Sequence, residues 1–428
     1  MKILGLLVLC AMAALPQQVV IRAARLFDGK SETLQTPGLV VVENGRIVGV
    51  GAGAVLKPGA QVIELGDATL SPGFMDAHVH LVQERGLDDR QDLVDRQART
   101  PAEMALLATK YLKTTLDAGF TTVRNLGAPA FVDVAMRNAI ARGAIAGPRI
   151  LAASKGLGSL GGHCDPMNGV RPEFFGREPD WRDGVVDSPE SARQAVRYNI
   201  KYGADLIKMC ATGGVLSRNN DVDSPQMTQA EIDAIIDEAH AKGKKVAAHA
   251  HGATGAKRAI RAGIDSIEHG SFLDEEALTM MKQKGTFFVP TLHAYWSLVE
   301  AEKKGSVMDP RTKAKMNMAG RRIDETFRSA AARGIRIAFG TDAGVGIHGT
   351  NAEEFVLMVK GGMKPIDALR AATSVDAELF GIANEVGSLQ GGMIADIVAV
   401  PGNPVEDITK TRDVFFVMQG GKVVKNAR

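Results

Sequence analysis

Two histidines, His78 and His80, lie in a short apolar segment that opens with Ser71-Pro72-Gly73. Alternate residues of a β-strand face the same side, so a strand here would present both imidazoles together. Paired imidazoles at the end of a buried strand suit a divalent metal such as zinc. A chain with nine histidines forms such pairs by chance, so the pair alone is weak evidence for a metal site.

Residues 71–381, which surround this pair, alternate apolar runs with helical stretches. Eight runs read as strands, at about 71–80, 121–126, 149–153, 205–210, 245–249, 266–269, 286–290 and 337–342. Segments with the pattern of amphipathic helices fill the intervals, and Thr228-Gln229-Ala230-Glu231 is a capping box at the start of one of them. Eight such repeats predict an α/β fold, a (β/α)8 TIM barrel rather than an open doubly wound sheet. No G-x-G-x-x-G loop follows a strand, which argues against dinucleotide binding.

Chemically useful side chains recur where these strands end, the position of catalytic groups in such barrels. A single histidine is more often a core or surface residue, but here imidazoles, a lysine and an aspartate would converge at one barrel mouth. Read in order, the strand ends and their loops carry His78, His80, Arg124, His163, Lys208, His249, His269 and Asp342.

Both ends of the chain differ from its middle. Residues 17–70 and 382–428 consist of short β-branched runs separated by turns such as Asn44-Gly45. Their matching character predicts one small, discontinuous β-sandwich domain built from both chain ends, with the barrel at 71–381 between its two parts.

Residues 1–16 combine Lys2, a short apolar run and small residues, the layout of a signal peptide. Removing it would leave Cys164 and Cys210. In an oxidising compartment these two cysteines could form a disulfide. Two cysteines make no disulfide framework, however, and we expect both to be free thiols that act as small core residues. The net charge of +2 gives no reason to expect nucleic acid or a membrane as partner.

The chain resembles the amidohydrolase superfamily, within it the Xaa-Pro dipeptidase (prolidase)-like and imidazolonepropionase-like group, and it is similar to secreted bacterial amidohydrolases that cleave ochratoxin A. The resemblance covers nearly the whole chain, including the split β-domain. With the signal peptide, it implies a periplasmic or secreted bacterial enzyme and a homo-oligomer. The matching segments are 72–80, Gly161-Gly162-His163, Ile207-Lys208, 248–252, 267–270 and Gly340-Thr341-Asp342.

The resemblance implies a binuclear metal centre, most often zinc. His78, His80 and Asp342 would hold the more buried ion, and His249 and His269 the other. Lys208 would bridge them as an N-carboxylated lysine, because a desolvated lysine loses its proton readily and the neutral amine can capture carbon dioxide. The alternative is a cationic Lys208 that binds substrate beside a single metal.

The implied reaction is hydrolysis of an amide bond by a metal-bridging hydroxide. Asp342 would act as general acid–base, and His163 would donate to the developing oxyanion, unless it only packs its loop. His251 follows His249 by two residues and so faces the same way, either toward the substrate or behind the ligands. His293, after the seventh strand, is a weaker candidate for substrate contact.

The loop after Lys208 offers the clearest indication of the substrate, which we expect to be a small-molecule amide or peptide. Val215 and Leu216 would form an apolar wall, and Arg218 could pair with a substrate carboxylate if it is not simply solvated. These features fit a dipeptide or N-acyl amino acid cleaved at its C-terminal residue, ochratoxin A included. Alternatives are a lactonase, an organophosphate hydrolase or a cyclic amide hydrolase of the imidazolonepropionase type. A metal-free binding protein on a degenerate barrel would lack ligands, yet every ligand position is filled.

Overall fold

The computed structural model describes residues 18–171, 173 and 176–427. The predicted signal peptide, residues 1–16, lies outside these residues. Within the described part of the chain, no helix is both long and apolar enough to cross a bilayer.

Strands from both ends of the chain form two neighbouring sheets. One contains β1 (Val19–Ala23), β3 (Gly38–Glu43), β4 (Arg46–Val50) and β5 (Gln61–Glu64), in the order β4-β3-β1-β5. The other contains β2 (Arg25–Leu26), β6 (Ala68–Pro72), β14 (Ile397–Pro401), β15 (Phe416–Gln419) and β16 (Lys422–Asn426), in the order β16-β15-β14-β6-β2.

Strand β6 connects the two chain ends. It pairs antiparallel with β14, with Leu70 opposite Ala399. Ile21 and Val40 of the first sheet and Phe416 of the second belong to one buried apolar cluster. Burying this cluster holds the two sheets together, and β6 leads directly into the strand that carries the first histidine pair.

Seven parallel strands carry the site. One sheet contains, in order, β7 (Phe74–Val79), β8 (Phe120–Asn125) and β9 (Arg149–Ala152). The other contains, in order, β10 (Ile207–Cys210), β11 (Val246–Gly252), β12 (Ser266–Phe272) and β13 (Phe287–Val289). Nearly all their residues are buried, as in parallel sheets covered on both faces. The predicted α/β class is confirmed.

Helices follow most of these strands. The predicted capping box is confirmed, because Glu231 Oε2 accepts the Thr228 N–H at 2.8 Å and Thr228 Oγ1 accepts the Glu231 N–H. The helices are α1 (Asp89–Ala98), α2 (Pro101–Asp117), α3 (Val132–Ala141), α4 (Pro189–Lys201), α5 (Gln229–His240), α6 (Ala253–Ala262), α7 (Glu275–Lys284), α8 (Leu292–Lys303), α9 (Pro310–Ala332), α10 (Glu353–Lys360), α11 (Pro365–Arg370) and α12 (Asp376–Phe380).

The predicted eighth strand, 337–342, is instead a segment with isolated bridges near its two ends. Asp342 has φ +59, a left-handed conformation that turns the chain out of an extended ladder. Isolated parallel bridges nevertheless connect this segment and the residue after it to both sheets, through Phe288–Ile337 and Val79–Ala343. A further isolated bridge, Leu157–Met209, connects the segment after β9 to β10.

Candidate active site

The carboxyl ends of the parallel strands surround a cavity of about 540 Å³. His78 lies in β7 and His80 directly after it, while Lys208, His249 and His269 lie in β10, β11 and β12. All but one of the residues predicted for the site line this cavity: His78, His80, His163, Lys208, Val215, Leu216, Arg218, His249, His251, His269 and Asp342.

Two groups of possible metal ligands share His269. In one, ligand atoms of His249, His251 and His269 lie within 4.8 Å of one another, and in the other those of His78, His269 and Asp342 do. His80 Nε2 lies 3.2 Å from Asp342 Oδ1, which brings His80 to the second group.

Lys208 lines the same cavity beside the second of these groups. Its Nζ is 3.5 Å from His78 Nε2, and the side chain is almost fully buried. Two adjoining ligand groups beside a buried lysine are the arrangement that a pair of metal ions with a bridging ligand would require.

Four of these histidines, His78, His249, His251 and His269, have a fixed partner at one ring nitrogen. Four pairs are close: His78 Nδ1 with Glu268 Oε2 at 2.9 Å, His249 Nε2 with the Gly213 carbonyl at 2.9 Å, His269 Nδ1 with Thr291 Oγ1 at 2.8 Å, and His251 Nδ1 with Ser271 Oγ at 2.9 Å. Metal-binding histidines typically hold their second nitrogen in this way, which leaves the other nitrogen free to bind the ion.

Asp342 contributes a carboxylate oxygen to the candidate metal ligands. Its Oδ1 is buried and, among the described residues, has no partner with hydrogen-bond geometry. A buried carboxylate oxygen without such a bond is costly unless a cation or proton occupies its open side. Together with several neutral imidazoles, this donor set fits zinc or a similar divalent ion.

Burial lowers the pKa of His78, His249 and His269 well below the usual value and so keeps these three imidazoles neutral. It lowers the pKa of His163 to about 3 and of His251 to about 4. It also lowers the pKa of Lys208 to about 8, against the opposing effect of the Glu268 and Asp342 charges. Near neutral pH the imidazoles are therefore available as ligands, and a fraction of Lys208 is the neutral amine.

The carboxyl group of Asp342 responds to opposing influences. Burial raises its pKa, but the neighbouring His78, His80 and Lys208 outweigh burial, so the pKa lies below its usual range. The group is therefore an anion at neutral pH, able to bind a cation or accept a proton.

Three of the seven non-glycine residues with positive φ in the described part of the chain lie at this site. His269 has φ +69, Asp342 φ +59 and Thr291 φ +49. Non-glycine residues seldom adopt this region, at a cost of about 1 kcal/mol or more each. Two of the three carry ligand atoms and the third holds the His269 ring, so the strain occurs where side chains are aimed into the cavity.

A buried ion pair supports His78 from behind. Glu268 Oε1 accepts a hydrogen bond from Arg124 Nη2 at 2.7 Å, and Arg124 Nε donates to the Ala77 carbonyl at 2.6 Å. Sequence reasoning identified Arg124 only as a strand-end residue and gave Glu268 no role. An acidic residue within the predicted buried strand at 266–269 was the available signal.

His163 packs against the ligand histidines. Its ring stacks on His249 with centroids 4.1 Å apart, and its main-chain N–H donates to Gln226 Oε1 at 2.7 Å. Within the described residues, His163 Nδ1 is buried without a hydrogen-bond partner. The ring therefore has an unused polar atom at the cavity wall.

Cys164 and Cys210 form a disulfide, with their Cα atoms 5.8 Å apart. The expectation of two free thiols is wrong here, because the segment after β9 folds back across the end of β10. Sequence separation gave no indication of this approach. The bond joins the residue after His163 to the strand that carries Lys208.

The outer part of the cavity is apolar with a basic side. Val215 and Leu216 line it as predicted, together with Tyr295 of α8. Arg218 lies there too, and α1 adds Arg96, which sequence reasoning did not select. Burial and the nearby Arg218 charge both lower the pKa of Arg96, opposed by Asp92 and Asp89.

His293 is the predicted residue that the structure does not bring to the cavity. Its ring is fully buried, with Nδ1 3.2 Å from the Thr341 carbonyl and Nε2 2.8 Å from Thr350 Oγ1. These contacts give it a role in packing the segment before Asp342, and direct contact with substrate is not available to it in this arrangement.

The amidohydrolase family model matches residues 69–424. The chain is 32% identical over 430 residues to ochratoxinase of Aspergillus niger, an alignment that covers 95% of this chain and 86% of that protein. It is 26% identical over 399 residues to imidazolonepropionase of Symbiobacterium thermophilum, with 84% and 83% covered.

Solved structures of similar proteins also match this chain over most of its length. A Xaa-Pro dipeptidase with bound methionine in its active site has a TM-score of 0.91 and 41% identity, covering 96% of this chain and 100% of that one. A prolidase complexed with N-methylphosphonate-L-proline has a TM-score of 0.86 and 33% identity, covering 96% and 100%. For A. niger ochratoxinase the values are 0.82 and 29%, with 96% of each chain covered. The chain therefore belongs to the amidohydrolase family and is a hydrolase of carbon–nitrogen bonds.

Proposed function

We propose that this enzyme cleaves the amide bond that joins an acyl or aminoacyl group to a C-terminal amino acid, with the aid of two divalent metal ions. The observation that carries the proposal is the set of side chains that line one cavity. Its base gathers neutral imidazoles, Asp342 and Lys208, while its outer part combines apolar residues with the cations Arg96 and Arg218.

The names of the relatives support this substrate class. Ochratoxinase, the Xaa-Pro dipeptidase with bound methionine and the prolidase with N-methylphosphonate-L-proline all resemble the chain over most of its length. These names share one substrate class, an amide bond to an amino acid. We accordingly include ochratoxin A, cleaved to ochratoxin alpha and phenylalanine, among the substrates to test.

His78, His80 and Asp342 would hold one ion, His249 and His269 the other, and N-carboxylated Lys208 would bridge them. Zinc is the metal that best suits this donor set. The ions would supply a hydroxide near neutral pH, by lowering the pKa of bound water, and a Lewis acid for the carbonyl.

The chain's own groups would handle protons and charge. Asp342 is an anion, and its buried Oδ1 lies 3.2 Å from His80 Nε2 without a hydrogen bond of good geometry among the described residues. It can therefore take up the proton released in hydrolysis and pass it to the leaving nitrogen. His163 has an unpartnered Nδ1 at the cavity wall, and a ring N–H here would stabilise charge developing on the carbonyl oxygen.

Substrate orientation would follow from the outer cavity. Val215 and Leu216 would contact an apolar part of the substrate, and burial of that surface contributes about 25 cal/mol per Å². Arg218, with Arg96 beside it, would bind the carboxylate, because a guanidinium matches a carboxylate in a bidentate pair. His251 would contact substrate or stand behind the ligands.

We also infer that the two parallel sheets belong to one closed (β/α)8 barrel, residues 71–381, and that 17–70 with 382–428 form a separate β-sandwich. The isolated bridges between the sheets and segment 337–342 support closure. The signal-peptide pattern of residues 1–16 supports export to the periplasm or the medium, and the family resemblance supports a homo-oligomer.

The test measures metal content per chain and release of free amino acid from N-acyl-phenylalanine, Xaa-Pro and ochratoxin A. Wild type should bind roughly two ions and release amino acid. Lys208→Ala should lose the release and at least one ion, whereas Lys245→Ala, which removes an exposed lysine paired with Asp265, should match wild type.

One ion per chain without amide cleavage would refute the proposal. Assays with lactones, organophosphate esters and imidazolone propionate would then identify which alternative hydrolase reaction the site performs.

A further inference from the structure

One loop, residues 213–220, covers the side of the site where two of the histidines stack. Its Gly213 carbonyl is the partner of His249 Nε2 at 2.9 Å. The next residue, Gly214, lies so close to the His163 ring that an added Cβ would overlap it. Val215 and Leu216 follow and line the cavity. The loop thus connects the candidate metal ligands with the apolar wall.

The loop has its own internal hydrogen bonds. Ser217 Oγ donates to Asn220 Oδ1 at 2.6 Å and accepts the Gly214 N–H at 3.2 Å. These bonds close a turn around Ser217, whose Oγ also lies 3.0 Å from the Gly214 carbonyl. Buried main-chain carbonyls need hydrogen-bond donors, and this loop receives further donors from another element.

Lys315 of α9 provides those donors. Its ammonium group donates to the carbonyls of Gly214 at 2.9 Å and Asn220 at 3.2 Å, and also to that of Ser217. An ammonium group has three N–H donors and no acceptor, so three carbonyls satisfy it completely. The side chain is partly buried, and the three bonds are to a charged donor, the stronger class of hydrogen bond.

Helix α9 is well placed to serve as the support. Its Met316 and Ile323 line the same cavity. Further along the helix, Thr326 Oγ1 donates to the Ser271 carbonyl at 3.0 Å, at the end of β12. The helix is therefore fixed to the strand that carries His269, and Lys315 attaches the loop to this helix.

We propose that Lys315 is a positioning residue, which fastens the 213–220 loop to α9 and so sets the apolar wall and the packing of His163. The assignment of an effect on catalysis rests on the proposed function. Without the ammonium group, the carbonyls of Gly214, Ser217 and Asn220 would each lose this charged donor, and the loop would move. Substrate binding would suffer more than the chemical step, because Lys315 touches no reacting atom.

The first measurement is limited proteolysis with trypsin, which cuts after Arg218, an exposed residue of this loop. Lys315→Met keeps an unbranched side chain that is one heavy atom shorter and removes all three donors. We expect cleavage after Arg218, located by mass spectrometry, to accelerate about tenfold or more, as the loss of charged hydrogen bonds predicts. Lys313→Met is the control, since Lys313 lies two residues away on α9 and pairs with Glu302.

The second measurement is kinetics with N-acyl-phenylalanine. Lys315→Met should raise KM about tenfold while kcat stays within about threefold. Lys315→Arg, which keeps charge and donors in a different geometry, should give an intermediate KM. Lys313→Met should keep both constants, and thermal unfolding of each variant would show whether the fold is intact.

Unchanged trypsin cleavage and KM in a folded Lys315→Met would overturn the inference, as would equal effects of the Lys313 and Lys315 variants. If Lys315→Met does not fold, Lys315→Gln replaces it, because its amide retains two donors. Absence of amide hydrolysis by wild type would refute the proposed function alone, since the trypsin result tests the attachment of the loop without any substrate.

Discussion

Glu268 joins a buried cation to a candidate metal ligand. Its Oε2 lies 2.9 Å from His78 Nδ1, and its Oε1 accepts from Arg124 Nη2 at 2.7 Å and from Ser266 Oγ at 2.5 Å. All four side chains are buried. A carboxylate at Nδ1 holds the proton there, which leaves His78 Nε2 as the lone-pair donor that faces Asp342.

Glu268→Gln should therefore weaken metal binding. The amide keeps the shape but gives His78 a neutral partner, and loss of such outer contacts typically costs 10–100-fold in metal affinity. Competition with a chelator of known affinity measures the change. Glu276→Gln, at an exposed residue paired with Lys257, is the control. Wild-type affinity in a folded Glu268→Gln protein would contradict this role.

At the scale of the elements, most of the candidate ligands lie on strands, and the cavity walls include loops that cross between strands. The segment after β9 and the end of β10 are joined by the disulfide between Cys164 and Cys210, which are 46 residues apart. Because Cys164 follows His163 and Cys210 lies two residues after Lys208, this bond fixes the two candidate functional residues relative to each other.

Reduction of this disulfide should destabilise the protein. Closing a loop of this length removes unfolded-state entropy worth about 4 kcal/mol in the chain-entropy model, and measured effects are typically about 2–4 kcal/mol. Denaturant unfolding of wild type with and without reductant measures the change, and Cys164→Ser should show no further response to reductant. Two titratable thiols per chain in protein purified without reductant would restore the expectation of free cysteines.

The same elements explain what sequence could and could not predict. Buried parallel strands tend to be apolar runs, so their existence, and the candidate ligands at their ends, could be predicted from the sequence. Segment 337–342 has such a run, but the left-handed Asp342 interrupts its ladder. Glu268 and Lys315 were missed because they act on residues 190 and 101 positions away, and no local periodicity reports such contacts.

At the scale of the whole molecule, the site gathers residues from both parallel sheets. His78 lies in β7, whereas Lys208, His249 and His269 lie in β10, β11 and β12, and Asp342 comes from the segment bridged to β7 and β13. Metal ions bound to these groups would connect elements that are far apart in the sequence. Binding should therefore stabilise the native state as a whole, since the unfolded chain does not hold these groups together.

Metal removal should accordingly lower the melting temperature. Free metal at 100 times its Kd adds about 2.7 kcal/mol to the unfolding free energy. For a chain of 428 residues, with an unfolding entropy of about 2.1 cal/mol/K per residue, this corresponds to roughly 3 °C. Calorimetry of apoprotein, with and without added zinc, measures the shift. Lys208→Ala should retain less of it and Lys245→Ala all of it, and equal shifts in wild type and Lys208→Ala would mean that zinc binds without Lys208.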